Sequence, residues 1–294
     1  MIGPRRLTVP GLALACAMAA GAGPVGARQD PPGQAAAAPA QRPYEPRIGQ
    51  AGKDVVWVPT PAELVEKMLD MANVTSDDFV MDLGSGDGRN VIAAARRGAR
   101  AVGVEFNPDM VALSRHLAEE AGVSDKATFV QGDMYTADIS KATVMAIFLL
   151  PANMDKLLPS FQTLAPGSRI VANTFGFAEW DPDERGFVDD RTCSDWCEAL
   201  LWIVPARAAG EWTLGADEGL TLTQLHQVLY GNLRSGRETQ PISKARMRGY
   251  DITFSAGERA FTGRLRGDVI EGTVTGPRGT DRWRAVRVPS ANRR

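Results

Sequence analysis

The run from Val80 to Arg89, VMDLGSGDGR, restricts this chain more than any other stretch. Phe79, Val80 and Met81 read as a buried strand, followed by a turn holding Gly84, Gly86 and Gly88 and then by a helix start. Glycines in such a turn let backbone N–H groups approach a ligand at a helix N-terminus. A nicotinamide dinucleotide loop would read G-x-G-x-x-G/A, and the sixth position here is Arg89. Asp82 and Asp87 flank the loop; they repel a pyrophosphate and suit a cationic or zwitterionic ligand. About twenty residues on, the apolar strand Ala101–Val104 ends in Glu105, placed to accept two ribose hydroxyls. A third strand, Ala127–Val130, runs into Gly132-Asp133-Met134.

Strands alternate with helical segments through this region, which predicts a parallel sheet with helices on both faces. Ligands of such sheets bind beyond the carboxyl ends of the strands, where Gly84, Glu105 and Asp133 all fall. The D-x-G-x-G-x-G loop, the strand-ending acid and the later Gly-Asp together resemble the class I, seven-strand methyltransferases that depend on S-adenosylmethionine. The resemblance covers roughly Val55 to Pro205 and implies an α/β, doubly wound Rossmann-like methyltransferase sheet. It implies S-adenosylmethionine as cofactor, held by Thr60, Asp82, Gly84, Gly86, Gly88, Glu105, Asp133 and Met134.

Two flanking segments refine this reading. Thr60-Pro61-Ala62-Glu63 has the form of a capping box with proline at the first helical position, ahead of Leu64, Val65, Met68, Leu69 and Met71 at helical spacing. In the resembling family, a segment like Trp57-Val58-Pro59-Thr60 folds over the methionine end of the cofactor, so Thr60 has two candidate roles. The apolar run Thr143–Leu150 reads as a fourth strand ending in Pro151-Ala152-Asn153, and methyltransferases turn this loop toward the methyl acceptor. Pro151 and Asn153 are therefore the substrate-side candidates; a helix N-terminus after a buried strand explains them equally. VPTP, DLGSGDGR, the Leu-Leu-Pro turn and TFGFAEW resemble a bacterial group similar to the mitochondrial lysine methyltransferases of the ATP synthase c-subunit and the adenine nucleotide translocase. That resemblance implies protein-lysine N-methylation. Transfer to a neutral amine rests on positioning and desolvation, so no general base is assigned.

The ends of the chain differ in composition. Arg5-Arg6, an apolar run from Leu7 to about Ala22 and Val25-Gly26-Ala27 have the form of a secretory signal over residues 1–27, cleaved near Ala27. The run is short for a membrane span, so the mature chain is expected to carry no transmembrane segment. The expected location is the periplasm or cell envelope, with the cytoplasm as the alternative. Residues 28–52 are rich in Pro, Ala, Gln and Gly and read as a disordered tether. After cleavage, Cys193 and Cys197 are the remaining cysteines; a C-x-x-x-C pair is two ligands short of a zinc site, and a local disulfide or two free thiols fit equally.

Residues 53–205 are assigned to the methyltransferase domain and 206–294 to a second, antiparallel domain. From about Ala206 the hydrophobic period becomes two. Leu220, Leu222, Val228 and Tyr230 share one parity, as do Phe261, Gly263 and Leu265, with turn signals every eight to twelve residues, which indicates a sandwich or small barrel. From Pro241 onward twelve Lys and Arg face five Asp and Glu, although the whole chain has a formal net charge of −2. Charged strand edges that block sheet-to-sheet pairing account for this, as does docking to an anionic partner. Near-neutral overall charge argues against nucleic acid. The rival to an enzyme is an envelope binding protein that keeps a degenerate methyltransferase fold as a scaffold.

Overall fold

The computed structural model describes residues 44–189, 193 and 195–289. The expected signal peptide, and the expected tether as far as residue 43, lie outside the described residues.

The first half forms a seven-stranded sheet in the order β3-β2-β1-β4-β5-β7-β6. Its strands are β1 (Phe79–Leu83), β2 (Arg100–Glu105), β3 (Ala127–Gln131), β4 (Val144–Ile147), β5 (Arg169–Asn173), β6 (Glu184–Phe187) and β7 (Glu198–Ile203). β1 to β5 run parallel, while β7 is antiparallel to both β5 and β6. Four helices cover the faces: α1 (Ala62–Met71), α2 (Arg89–Arg96), α3 (Pro108–Glu120) and α4 (Pro151–Phe161). α1 to α3 pack over one apolar cluster and α4 over the other. The central strand β4, Val-Met-Ala-Ile, is wholly buried, as a strand covered on both faces must be. α2 buries Asn90 to Ala95, and its three alanines let the helix lie close to the sheet. This is the Rossmann-like methyltransferase sheet that the resemblance implies.

Register explains the location of the site. Phe79 to Leu83 lie opposite Arg100 to Val104, so Gly84 follows β1 at the level where Glu105 ends β2. Val104 and Glu105 lie opposite Val130 and Gln131, which carries Gly132 and Asp133 to the same edge. At the other edge, Asp78 accepts from Thr143 Oγ1 at 2.7 Å and pairs with Arg169, tying the starts of β1, β4 and β5 together.

Two local expectations are corrected, and one strand goes beyond them. Thr60 does not cap α1: the N-cap position is Pro61, without a side-chain cap, and Thr60 is buried with its hydroxyl facing Asn173 Nδ2 at 3.4 Å. β6 was invisible in the sequence because Gly186 is its one buried residue, and an edge strand of four carries no usable alternation. Residues 44–52 of the expected tether are ordered against the sheet domain. Gly49 N–H donates to the Trp57 carbonyl and Trp57 N–H to the Gln50 carbonyl, at 2.8 and 2.9 Å, and the Gln50 amide donates to the Tyr44 hydroxyl at 2.8 Å.

The second half is a closed antiparallel barrel. Its strands are β8 (Gly210–Thr213), β9 (Glu218–Leu225), β10 (Val228–Ser235), β11 (Glu238–Arg248), β12 (Asp251–Ala256), β13 (Arg259–Arg266), β14 (Val269–Gly276) and β15 (Gly279–Arg287). Between β12 and β13 the turn opens on Gly257 with a φ of 56°, as a type II′ hairpin demands. Alternate residues point inward, and Phe254 and Phe261 stack at 4.4 Å with Trp283 edge-on to both. The parity assigned to Val228 and Tyr230 is corrected. The two-residue turn His226-Gln227 places Leu229 opposite Gln224 and Leu233 opposite Leu220, so the odd residues of β10 face inward and Tyr230 is exposed.

Part of the excess of arginine is matched by acids. Arg259, Arg264, Arg284 and Arg287 pair with Glu218, Asp251, Glu271 and Asp268 across or beside the barrel strands. Arg246 reaches Asp183 of the sheet domain at 2.8 Å, and the buried Asp183 also accepts the Ile203 N–H. Gln227 Nε2 donates to the Asp181 carbonyl at 2.6 Å. These contacts fix the barrel against the segment that leads into β6. Cys193 and Cys197 are joined by a disulfide. Among the described residues, no helix is long and apolar enough to cross a membrane.

Candidate functional site

A cleft runs along the carboxyl edge of β1 to β4 in two connected parts. One is lined by Glu105, Phe106, Met110, Gly132, Asp133 and Met134 and roofed by residues 50–58. The other is lined by Pro59, Thr60, Asp82, Ser85, Gly86 and Asn90. Trp57, Val58, Gly84 and Phe148 belong to both, and so mark their junction.

Glu105 closes the first part. Its two carboxylate oxygens accept the Gly86 and Asn107 N–H groups, each at 2.9 Å, which fixes the side chain and leaves one lone pair per oxygen for a vicinal diol. Asp133 accepts the Tyr135 N–H at 2.9 Å and the Lys53 ammonium at 2.6 Å. The Lys53 hydrogen bond, followed by the Tyr135 N–H, holds the Asp133 carboxyl below its ordinary range. Lys53 also lies 5.0 Å from the centre of the Phe106 ring.

Asp82 governs the second part. It is buried, one oxygen accepts from Asn90 Nδ2 at 3.1 Å, and the other has no partner. Burial drives its pKa well above the ordinary carboxylate value, and the nearby Glu105 and Asp87 push in the same direction against the Asn90 hydrogen bond. Asp87 does not act as the second free acid that the sequence suggested. It is paired with Arg89, whose Nη1 also donates to the Thr60 carbonyl at 2.6 Å. The residue that breaks the dinucleotide pattern thus neutralises one loop acid and anchors the roof. Asp82 Oδ1 remains an unpaired acidic acceptor, beside the unpartnered Ser85 Oγ and Asn90 Oδ1, and it suits a cation.

The glycines have distinct duties. Gly86 has a φ of 55°, and a Cβ there would lie 2.7 Å from the Trp57 indole nitrogen, so only glycine leaves the roof seated. Gly88 lines neither part of the cleft: its added Cβ would strike Phe129 at 2.5 Å, and it serves the packing of α2. Pro151 and Asn153 also lie outside the cleft lining. Pro151 is the first residue of α4, and the buried Asn153 donates to the Tyr135 hydroxyl at 2.7 Å. The structure supports the helix-start reading of this pair and gives neither a place at the cleft.

S-adenosylmethionine fits these residues. Glu105 would take its ribose, Asp133 its adenine amino group, and the unpartnered oxygen of Asp82 its methionine ammonium. Missed by sequence reasoning were Phe106, Met110, Phe148 and the roof residues before Val55. Phe106 could have been found as the aromatic directly after the strand-ending acid. Residues 50–53 carry no such signal, because their order rests on backbone hydrogen bonds and on side-chain contacts such as Lys53–Asp133 that are distant in sequence.

The chain is similar in sequence to several known proteins. The family model described as the ANTKMT methyltransferase domain matches residues 82–184. A protein-lysine N-methyltransferase of Saccharolobus islandicus is 41% identical over 139 residues, which is 46% of this chain and 86% of that protein. The ATP synthase c-subunit lysine N-methyltransferase of Mus musculus is 38% identical over 43% of this chain; the alignment spans only about half, 51%, of that relative. A solved RNA methyltransferase from Salinibacter ruber, in complex with S-adenosyl-L-homocysteine, is 45% identical over 51% of this chain and 95% of its own, with a TM-score of 0.47.

Proposed function

We propose that this chain, which belongs to the S-adenosylmethionine-dependent methyltransferase family that includes the protein-lysine N-methyltransferase of Saccharolobus islandicus, transfers the methyl group to a lysine side chain of a protein. The observation that carries the acceptor class is the chemistry at the junction of the cleft. Trp57, Val58, Gly84 and Phe148 present apolar walls and no acid or base there, which suits an amine that arrives neutral and needs placing more than deprotonating. The names of two relatives support the same acceptor, whereas the relative from Salinibacter ruber is named for RNA.

The cofactor supplies a methyl group activated by a positively charged sulfur. Everything else falls to the chain. Glu105 and Asp133 fix the nucleoside end, and Asp82 anchors the amino-acid end. Trp57 and Phe148 bound the space between with apolar rings, against which an entering amine would leave part of its hydration behind.

The test is direct. Purified protein is incubated with methyl-labelled S-adenosylmethionine and a cell extract, and the products are treated with protease or ribonuclease. Label should be released by protease and recovered as methyl-lysine after acid hydrolysis. Label released by ribonuclease instead would move the acceptor to RNA and end the lysine reading.

A further inference from the structure

Three aromatic rings at the mouth of the cleft belong to neither apolar core. Phe148 follows β4, Phe175 follows β5 and Trp196 precedes β7, so three separate segments bring them together. Phe148 and Phe175 stack with centres 6.1 Å apart and planes inclined by 16°; Phe148 and Trp196 lie 5.9 Å apart and inclined by 57°. Phe148 forms part of the cleft junction, while Trp196 is 42% exposed at the outer end. The cluster therefore leads from solvent to the junction of the cleft, which Phe148 lines.

The backbone is strained to keep the rings there. Trp196 has a φ of 55°, a left-handed conformation that a bulky side chain rarely adopts. Thr174, just before Phe175, has a φ of 54°, and Phe175 N–H donates to the Asn173 carbonyl in a tight γ-turn. Such strain persists only where the surroundings over-determine it, and it gathers at functional positions. For Trp196 the surroundings are the β6–β7 pairing and the adjacent Cys193–Cys197 disulfide.

We propose that Phe148, Phe175 and Trp196 form an acceptor socket that recognises a methylated ammonium through the faces of its rings, with the disulfide acting to position Trp196. This rests on the lysine reading above and deepens it. Aromatic faces attract quaternary and partly methylated ammonium groups, so a socket of this kind retains the methylated ammonium product, which accepts a further methyl group after losing a proton to solvent. The enzyme then carries lysine beyond the monomethyl stage.

The experiment measures peptide binding, separately from methyl transfer. Full-length protein saturated with S-adenosylhomocysteine is titrated with an acetylated Ala-Lys-Ala peptide carrying trimethyl-lysine, and with the same peptide carrying the neutral tert-butyl isostere. The ammonium peptide should bind, and the isostere should bind roughly five- to thirtyfold more weakly. Trp196→Ala and Phe175→Ala should each weaken the ammonium peptide by roughly fivefold or more, with S-adenosylhomocysteine affinity kept as proof of folding, and Trp196→Phe should restore part of the loss. A double Cys193→Ser, Cys197→Ser variant should follow Trp196→Ala. Equal binding of the two peptides, or indifference to Trp196→Ala, would overturn the socket; an unchanged double serine variant would overturn the positioning role of the disulfide. If the labelling assay places the methyl group on RNA while the peptides behave as stated, the lysine reading fails and the socket stands.

Discussion

The ammonium of Lys53 lies 2.6 Å from the carboxylate of Asp133, joining the roof of the cleft to the acid that follows β3. The hydrogen bond raises the Lys53 pKa and lowers that of Asp133, so the pair stays charged across the neutral range. Both side chains are substantially solvent-exposed, and such pairs contribute little to overall stability. The link therefore acts as a latch on residues 50–58. Lys53→Ala should leave the melting temperature unchanged and make the roof more sensitive to protease, with protection recovered on adding S-adenosylhomocysteine. Equal cleavage rates for the two proteins would refute the latch.

Glu105 has a double task. It accepts two backbone N–H groups and is expected to accept the ribose hydroxyls as well. Glu105→Ala should weaken S-adenosylmethionine binding by roughly 1.5–3 kcal/mol, about ten- to a hundredfold. It should also lower the melting temperature of the free protein, because the Gly86 and Asn107 donors lose their acceptor. Glu105→Gln keeps one of the two acceptor oxygens and should sit between the two. Calorimetric affinity that is the same for all three proteins would remove Glu105 from the site.

Gly86→Ala tests the seating of the roof. The added methyl would crowd the Trp57 indole at 2.7 Å on a backbone with a φ of 55°. Cofactor binding should fall at least a hundredfold while Gly132→Ala, whose Cβ would find only Val104 at 3.4 Å, costs far less. Similar losses in both variants would show that glycine-loop shape is not what limits binding.

Much of this site was legible because its parts are local. A glycine loop, a strand-ending acid and a Gly-Asp pair each carry their meaning within a few residues, and parallel strand register then brings them to one edge. What escaped depends on contacts distant in sequence. The pairing of Asp87 with Arg89 looks like two more charges until Arg89 is seen reaching the Thr60 carbonyl. The order of residues 44–52 comes from hydrogen bonds to Trp57 and from one latch, none of which composition reveals. The barrel's period of two was plain, but the phase at Tyr230 turned on whether His226-Gln227 is a two-residue turn.

The disulfide bears on location. We propose that the chain is exported and cleaved near Ala27, a reading that the signal-like start supports and that a Cys193–Cys197 bridge suits. Fractionated cells expressing the full chain should yield a periplasmic protein lacking its first residues and showing no free thiol after denaturation. An intact Met1 in the cytosolic fraction would end the export proposal.

Asp82 gives the pH prediction. Its folded pKa is raised, chiefly by burial, so between the ordinary carboxylate value and the raised one the folded state holds a proton that the unfolded chain has released. The stability linked to that proton is fully present at low pH and is lost as pH rises toward the folded pKa. Asp82→Asn stays neutral throughout and escapes this loss. The melting temperature of Asp82→Asn minus that of the unmodified protein should therefore grow as pH rises from about 4 upward. Saturating S-adenosylmethionine should shrink the difference, because its ammonium supplies the partner that the free carboxylate oxygen lacks. A difference that stays flat with pH, or that the cofactor leaves untouched, would show that Asp82 does not hold the cationic end of the ligand.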